Sequence, residues 1–351
     1  MIVSNDAIVV LMKPPYEITN RILLLYGQIT ESLGLCKSLL LVKPEARLRR
    51  QNRIKTIHSS LAIEGNTLDI EHVTALIENE TVVGPRKDIV EVQNAIRAYE
   101  HLTELDPYSL NDFLTAHRLL LEDLIESAGQ FRKRQVGIVK GAEVQHVAPG
   151  YSMVPGLMKD LFDYIKRDSD IDIIKSCVFH YELEFIHPFE DGNGRMGRYW
   201  QTRLLMNVNP IFEYVPIEET IKNNQEQYYK TLVESDKTGN STVFIEFMLD
   251  VINITLRKTI DESNPGNIDF TKRSDFALSL LNEWFDRKDY MKINKGISGA
   301  TASRDLKQLV KEGRLETSGE GRMTRYRKIA RSGDMDRIPN IHPGEVLKEE
   351  F

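Results

Sequence analysis

Cysteine is nearly absent from this chain: its 351 residues contain two, Cys36 and Cys177. Two thiols cannot form a disulfide framework, and neither lies in a metal-ligand spacing. That usage suits a reducing, cytoplasmic location. Long apolar runs are absent as well. Runs such as residues 22–26 and 39–42 fall far short of the roughly 18 residues that a membrane helix needs, so no membrane partner is expected. The opening, Met1-Ile2-Val3-Ser4-Asn5-Asp6, has no basic segment before its short apolar run, which weighs against a secretory signal. Internal repeats and low-complexity tracts are lacking too.

What is present belongs to a globular protein. Hydrophobic residues make up 41% and charged residues 28%. The length suits two domains better than one. Net charge is -6, unevenly spread: residues 272–331 hold 15 Lys and Arg against 8 Asp and Glu. One basic module on an acidic body suggests that a single end of the chain meets a polyanion.

Residues before 270 read as mainly α. Apolar positions recur every three or four residues through 18–40, 90–105, 110–124, 157–165, 171–186 and 244–260. Residues 131–149 are the exception, where Val136, Ile138 and Val147 among glycines suit a short hairpin. The run Glu262-Ser263-Asn264-Pro265-Gly266-Asn267 is a turn-forming break and the expected domain boundary. Beyond it, Ala277, Leu280, Leu281 and Trp284 predict one amphipathic helix, and Ala302, Leu306, Leu309 and Val310 a second over residues 299–311. Residues 314–318 and 323–327 then flank Gly319-Glu320-Gly321-Arg322 as a small hairpin. Helix, helix and two-stranded wing are the order of a winged helix-turn-helix.

The densest signal is Phe185-Ile186-His187-Pro188-Phe189-Glu190-Asp191-Gly192-Asn193-Gly194-Arg195-Met196-Gly197-Arg198, between helical stretches at 171–186 and 196–207. Gly192 and Gly194 let the backbone turn several N–H groups to one spot, and the following helix adds the positive end of its dipole. Arg195 and Arg198 bring forked donors that match phosphate oxygens. An acidic residue beside such a nest, Glu190 or Asp191, is explained by a divalent metal, most simply Mg²⁺. His187 is the nearby group with a pKa suited to a general base. An EF-hand is excluded by its missing ligands, and a Walker loop by the lack of Gly-Lys-Ser/Thr.

This run resembles the signature of Fic-domain proteins, His-x-Phe-x-(Asp/Glu)-Gly-Asn-Gly-Arg-x-x-Arg, at every specified position. The resemblance implies a helical Fic fold with a β-hairpin flap, ATP as substrate, and transfer of AMP to a Ser, Thr or Tyr hydroxyl of a target protein. It makes His187 the base, Phe189 an apolar anchor and Asp191 the metal ligand. Gly192, Asn193 and Gly194 become an anion hole, and Arg195 and Arg198 a phosphate clamp. The related Doc branch, which transfers phosphate, departs from the signature at the acidic residue and the last arginine. Both are present here. Gly129-Gln130-Phe131-Arg132 and His146-Val147-Ala148-Pro149 are similar to the flanks of the family's flap. That leaves Gln135, Val136, Gly137, Ile138 and Val139 as the edge on which a target segment docks.

Upstream, Ser59-Ser60-Leu61-Ala62-Ile63-Glu64-Gly65-Asn66 resembles the family's inhibitory motif, (Ser/Thr)-x-x-x-Glu-(Gly/Asn). Ser60 and Glu64 lie one helical turn apart, and the resemblance pairs Glu64 with Arg198, ahead of Gly65. The resulting organisation is an N-terminal helical region with the inhibitory motif (1–105), a Fic core (106–262), a winged helix (271–330) and a tail (331–351). On the winged helix, Thr301, Ser303, Arg304 and Lys307 would face DNA, with Arg322 on the wing. Residues 341–351 resemble the opening of an antitoxin of the HigA type and receive no function. Two other readings stay open: a DNA-binding regulator whose loop senses ATP, and an enzyme in which Glu64 also helps remove AMP. A homodimer is open as well.

Overall fold

The structure, a computed structural model, describes residues 13–38, 46–140, 143–263, 270–294, 297–319 and 324–329. Contacts divide the chain into two units, residues 1–263 and 264–351. In the first, α1 (Asn20–Ser38), α2 (Ala46–Ile63), α3 (Ile70–Ile77), α4 (Arg86–Glu100) and α5 (Leu110–Leu121) precede a hairpin of β1 (Gly137–Lys140) and β2 (Glu143–Val147). There follow α6 (Val154–Arg167), α7 (Asp172–Ile186), α8 (Asn193–Val208), α9 (Ile217–Asn223), α10 (Gln225–Thr238) and α11 (Thr242–Ser263).

The core is built around α7, in which every residue from Ile173 to Tyr181 is buried. A helix covered on all sides must be central, and each fully buried Phe or Leu there contributes about 1.5–3 kcal/mol. Its neighbour α8 brings Trp200, which stands edge-on to Phe113 of α5 at 5.1 Å. Phe113 in turn meets Phe162 of α6 at 5.4 Å and Phe179 of α7 at 6.0 Å. Helix starts follow the sequence: the Ser109 side chain accepts from Asp112 N to open α5, and Asp69 caps α3.

Apolar spacing did not find α2, and the packing shows why. Its buried face mixes Ile54, Ile57 and Leu61 with Asn52, Thr56, Ser59 and Ser60. The Asn52 amide donates to the Tyr214 carbonyl at 2.8 Å, so a polar residue at a core position is tied to a distant segment rather than marked by apolar spacing. The hairpin pairs antiparallel from Gly137 opposite Val147 to Lys140 opposite Glu143, with an irregularity between Ile138 and Val139. Helix α8 also begins earlier than its apolar pattern, at Asn193, inside the glycine run.

The second unit contains α12 (Phe270–Leu280), β3 (Trp284–Phe285), α13 (Arg287–Ile293), α14 (Gly299–Lys311), β4 (Leu315–Ser318) and β5 (Arg325–Lys328). Its strands are ordered β3-β5-β4. Ala277, Leu281, Phe285, Tyr290, Ala302, Leu306 and Leu309 form its core. A buried Arg273–Asp305 pair, with bonds of 2.7 and 2.8 Å, ties α12 to α14. Trp284, expected on the first helix, lies on a strand instead, and Leu280 is 60% exposed. Asp286 caps α13 from an extended backbone and forms a capping box with Asp289. That extension draws Trp284 and Phe285 into register with Arg327 and Tyr326. Among the described residues no helix is long and apolar enough to cross a membrane.

Candidate active site

The glycine run is a turn between two core helices, α7 and α8. His187 closes α7 in a left-handed conformation, φ 50° and ψ 59°, which costs a non-glycine residue about 1–2 kcal/mol. Several contacts hold it there. The His187 N–H donates to the Leu183 carbonyl at 2.9 Å, and its own carbonyl accepts from Arg132 Nε at 2.7 Å. Phe189 is fully buried and stacks on His117 of α5 with ring centres 3.6 Å apart. Asn193 staples the turn, since its side chain accepts from Phe189 N at 2.9 Å and donates to Phe189 O at 3.0 Å.

The start of α8 is left open for an anion. The first backbone bond runs from Met196 N to Gly192 O at 2.9 Å, so the N–H groups of Asn193, Gly194 and Arg195 have no helical acceptor. No side chain caps them. Gly192 has φ 84°, and a Cβ there would meet Leu121 at 2.6 Å. Glycine is therefore required at that turn.

Three charged side chains ring this opening. Arg195 is buried between Glu91, at 3.2 Å, and Asp191, at 2.9 Å. Glu91 also accepts from Asn66 at 2.8 Å, which links the end of α2 to the loop. Burial acts to raise the Asp191 pKa, but Arg195 and the Gly192 N–H outweigh it and hold the carboxyl below its ordinary value. Asp191 thus stays anionic beside the open N–H groups. This fits Mg²⁺, which takes one or two carboxylates and completes its shell with water and phosphate. Glu190 points elsewhere, accepting from Ser127 Oγ at 2.9 Å.

Arg198 is buried and paired across helices. Its Nη2 donates to Glu64 Oε1 at 2.7 Å and to the Ser60 carbonyl at 3.0 Å, while Nε reaches Ser60 Oγ at 3.2 Å. Burial opposes the charge of Arg198, and Glu64 restores it, leaving its pKa raised. Gly65 follows at φ 90°, ending α2 just past Glu64. Gly194 is the point of closest approach, for a Cβ there would lie 2.5 Å from Glu64 Oε1.

Two supports of the site were given no role by the sequence motifs, although Arg132 ends the run that resembles a flank of the flap. Arg132, 2% exposed, donates to the carbonyls of His187, Ile186, Arg134 and Pro149. It fastens the hairpin's base to the turn at His187. His117 is buried, and burial pushes its pKa down to about 4. Its Nδ1 accepts from Gly129 N at 2.8 Å, so a neutral ring carries its proton on Nε2 and donates to the Asp191 carbonyl at 3.0 Å. Neither leaves a periodic trace, so the packing alone shows what each one holds.

In the hairpin, Gln135 is exposed and donates to the Ala148 carbonyl at 2.7 Å, Val136 is half-buried, and Gly137, Ile138 and Val139 lie on β1. In the second unit, Arg304 and Lys307 are exposed on α14, with Thr301 and Ser303 half-buried. The Ser303 hydroxyl accepts from Arg287 at 3.1 Å. Arg322 and the tail lie outside the described residues.

Comparison with known proteins agrees with this geometry. Residues 107–205 match the model of the Fic/DOC family. A crystal structure of a Fic family protein from Desulfovibrio desulfuricans G20 is 36% identical, with a TM-score of 0.72, over 91% of this chain and 99% of that one. The chain belongs to the Fic family. Among curated relatives, protein adenylyltransferase fic-1 of Caenorhabditis elegans is 30% identical over 247 residues, 66% of this chain and 46% of that protein. Protein adenylyltransferase Fic of Culex quinquefasciatus is 29% identical over 267 residues, 71% and 51% of the two chains. The chain thus spans about half the length of the curated relatives it matches.

Proposed function

We propose that this Fic protein is a protein adenylyltransferase, which transfers AMP from ATP to a Ser, Thr or Tyr hydroxyl of a target protein. The observation that carries this reading is the uncapped start of α8, with His187 before it and Arg195 and Arg198 on its first turns. The target hydroxyl oxygen attacks the α-phosphorus, the bond from that phosphorus to the β-phosphate bridge oxygen breaks, and pyrophosphate leaves. His187 takes the hydroxyl proton. The N–H groups of Asn193, Gly194 and Arg195 receive phosphate charge that develops as that bond breaks. Asp191 would hold Mg²⁺, which neutralises phosphate charge when bound. The outer edge of β1, away from β2, suits backbone pairing with an extended target segment.

In this reading the protein rests in an inhibited state. Glu64 occupies Arg198, the arginine expected to take the γ-phosphate. Holding an enzyme 99% closed needs about 2.7 kcal/mol, and one charge-assisted pair supplies about 1.5–3 kcal/mol. The naming of the curated relatives as adenylyltransferases favours AMP over other groups. The test is ATP labelled at the α-phosphate, incubated with Glu64→Gly protein and cell lysate. Covalent label on protein is expected; label at the γ-phosphate alone would reassign the chemistry.

A second activity is proposed for the second unit, as a DNA-binding winged helix. Its support is the exposed Arg304, Lys307 and Lys311 on α14, beside a three-stranded sheet that carries Arg325. A mobility shift with duplex DNA tests it, with retardation expected at low salt and loss at high salt.

A further inference from the structure

One turn before His187, α7 carries a carboxyl to which the transfer chemistry gives no task. The Glu184 side chain is 13% exposed. Its Oε1 accepts from Tyr228 Oη of α10 at 3.3 Å and lies 3.9 Å from His180 Nε2 on its own helix. It also borders the space over Gly194. A Cβ built on that glycine would stand 2.5 Å from Glu64 Oε1, 3.1 Å from Arg198 Nη1 and 3.4 Å from Glu184 Oε1. One small volume is therefore walled by two carboxyls and a guanidinium. Once Glu64 withdraws, the groups left facing that volume are Arg198 and Glu184. A phosphate that enters against the arginine meets Glu184 as well.

We propose that Glu184 is a phosphate-facing residue of the nucleotide pocket, which admits the terminal phosphate of ATP as a hydrogen-bond donor and repels it as an anion. The proposal rests on the nucleotide reading of the site and deepens it. The surroundings decide which form is present. Burial disfavours the anion most, and Glu64, just past the end of α2, and Asp236 from α10 add to that. Arg198 from α8 and the Tyr228 hydroxyl oppose it, and the balance pushes the carboxyl up to about 7. His180 contributes no charge, because burial lowers its pKa to about 3, and α11 presents to it only the ring of Phe244. Below neutral pH, therefore, Glu184 keeps its proton and donates to phosphate. As pH rises through the neutral range it becomes an anion facing a polyanion, and ATP binding weakens.

The experiment is calorimetric titration of full-length Glu64→Gly with Mg²⁺-ATP and Mg²⁺-ADP, from about pH 6 to about pH 8.5, beside Glu64→Gly/Glu184→Gln and Glu64→Gly/Glu184→Ala. Removing Glu64 in all three eliminates its own effect on Arg198 and its share in raising the Glu184 pKa, leaving burial, the largest cause, to hold the carboxyl above its ordinary value. The ATP Kd of Glu64→Gly should weaken about tenfold over that range, as linkage to one proton allows, while the ADP Kd changes by less than about twofold. Glutamine, a permanent donor, should hold ATP affinity level and tight. Alanine, which neither donates nor repels, should hold it level at an intermediate value. Equal pH responses in Glu64→Gly and the Gln variant, or equal responses for ATP and ADP, overturn the proposal. These titrations follow binding alone, whereas AMP transfer is read separately from protein-bound label. A failure of transfer therefore leaves the role of Glu184 in binding to be decided by the titrations.

Discussion

His187 is held in a strained left-handed backbone by the packing of Phe189 and by Arg132. Strain kept in place by so many contacts marks a position where orientation matters. His187→Ala should lower transfer of α-labelled AMP by about 10² to 10⁴, the range for loss of a general base, and leave ATP binding within a few-fold. Near wild-type labelling by that variant would remove His187 from the mechanism. Glu64 and Arg198 touch, so their substitutions should not add. Glu64→Gly is expected to raise labelling about 10- to 100-fold, equal to about 1.4–2.7 kcal/mol of released bias. Arg198→Ala should stay poorly active, and the double variant should match Arg198→Ala. Self-labelling measured on all four proteins decides it: additive effects would place the action of Glu64 somewhere other than Arg198.

Arg132 works between elements rather than within one, joining the flank of the hairpin to the carbonyls at the end of α7. Arg132→Leu removes a buried donor set and leaves carbonyls unsatisfied, at about 1–3 kcal/mol for each group that water cannot reach. A lowered melting temperature and lost transfer are expected together; an unchanged melting curve would show that the hairpin needs no such anchor. Strand β1 offers a finer test. Successive residues of a strand direct their N–H groups to opposite sides. Of proline at Gly137 and proline at Ile138, one therefore removes an N–H shared with β2 and the other an edge N–H. The edge variant should lose target labelling while still binding ATP. If both variants label the target normally, strand pairing is not the docking mode.

The two units divide the chain's charge as well as its contacts. Residues 272–331 are basic and lie in the second unit, apart from the nucleotide loop in the first. A protein ending at residue 263 should keep ATP binding and transfer, because His187, Asp191, Arg195, Arg198 and Glu64 all precede that point. The full chain, but not the truncation, should bind DNA with affinity that falls steeply as salt rises. Replacing Arg304, Lys307 and Lys311 with alanine should reduce the log–log salt slope by about 2 to 3, near 0.9 for each lost phosphate contact. A full chain that ignores DNA in dilute salt would leave this unit a different task.

Much of this was legible in one dimension, because the chemistry is local. The dozen residues from His187 to Arg198 must make one turn and the start of one helix, so the anion site is written in consecutive positions. Amphipathic helices such as α6 and α14 announce themselves by spacing for the same reason. Helix α2 did not, since its buried face mixes Asn52, Thr56, Ser59 and Ser60 with apolar residues, and Asn52 and Ser60 meet Tyr214 and Arg198 far along the chain. Motif similarity had to supply Glu64. The strand at Trp284 was hidden because its extended form depends on pairing with β5, some forty residues on. His117 and Glu91 are single polar residues on separate elements, and nothing in their spacing relates them to His187 or Arg198. Only the folded chain brings them to the loop, where burial raises the cost of every unpaired charge and so fixes which carboxyl faces which arginine.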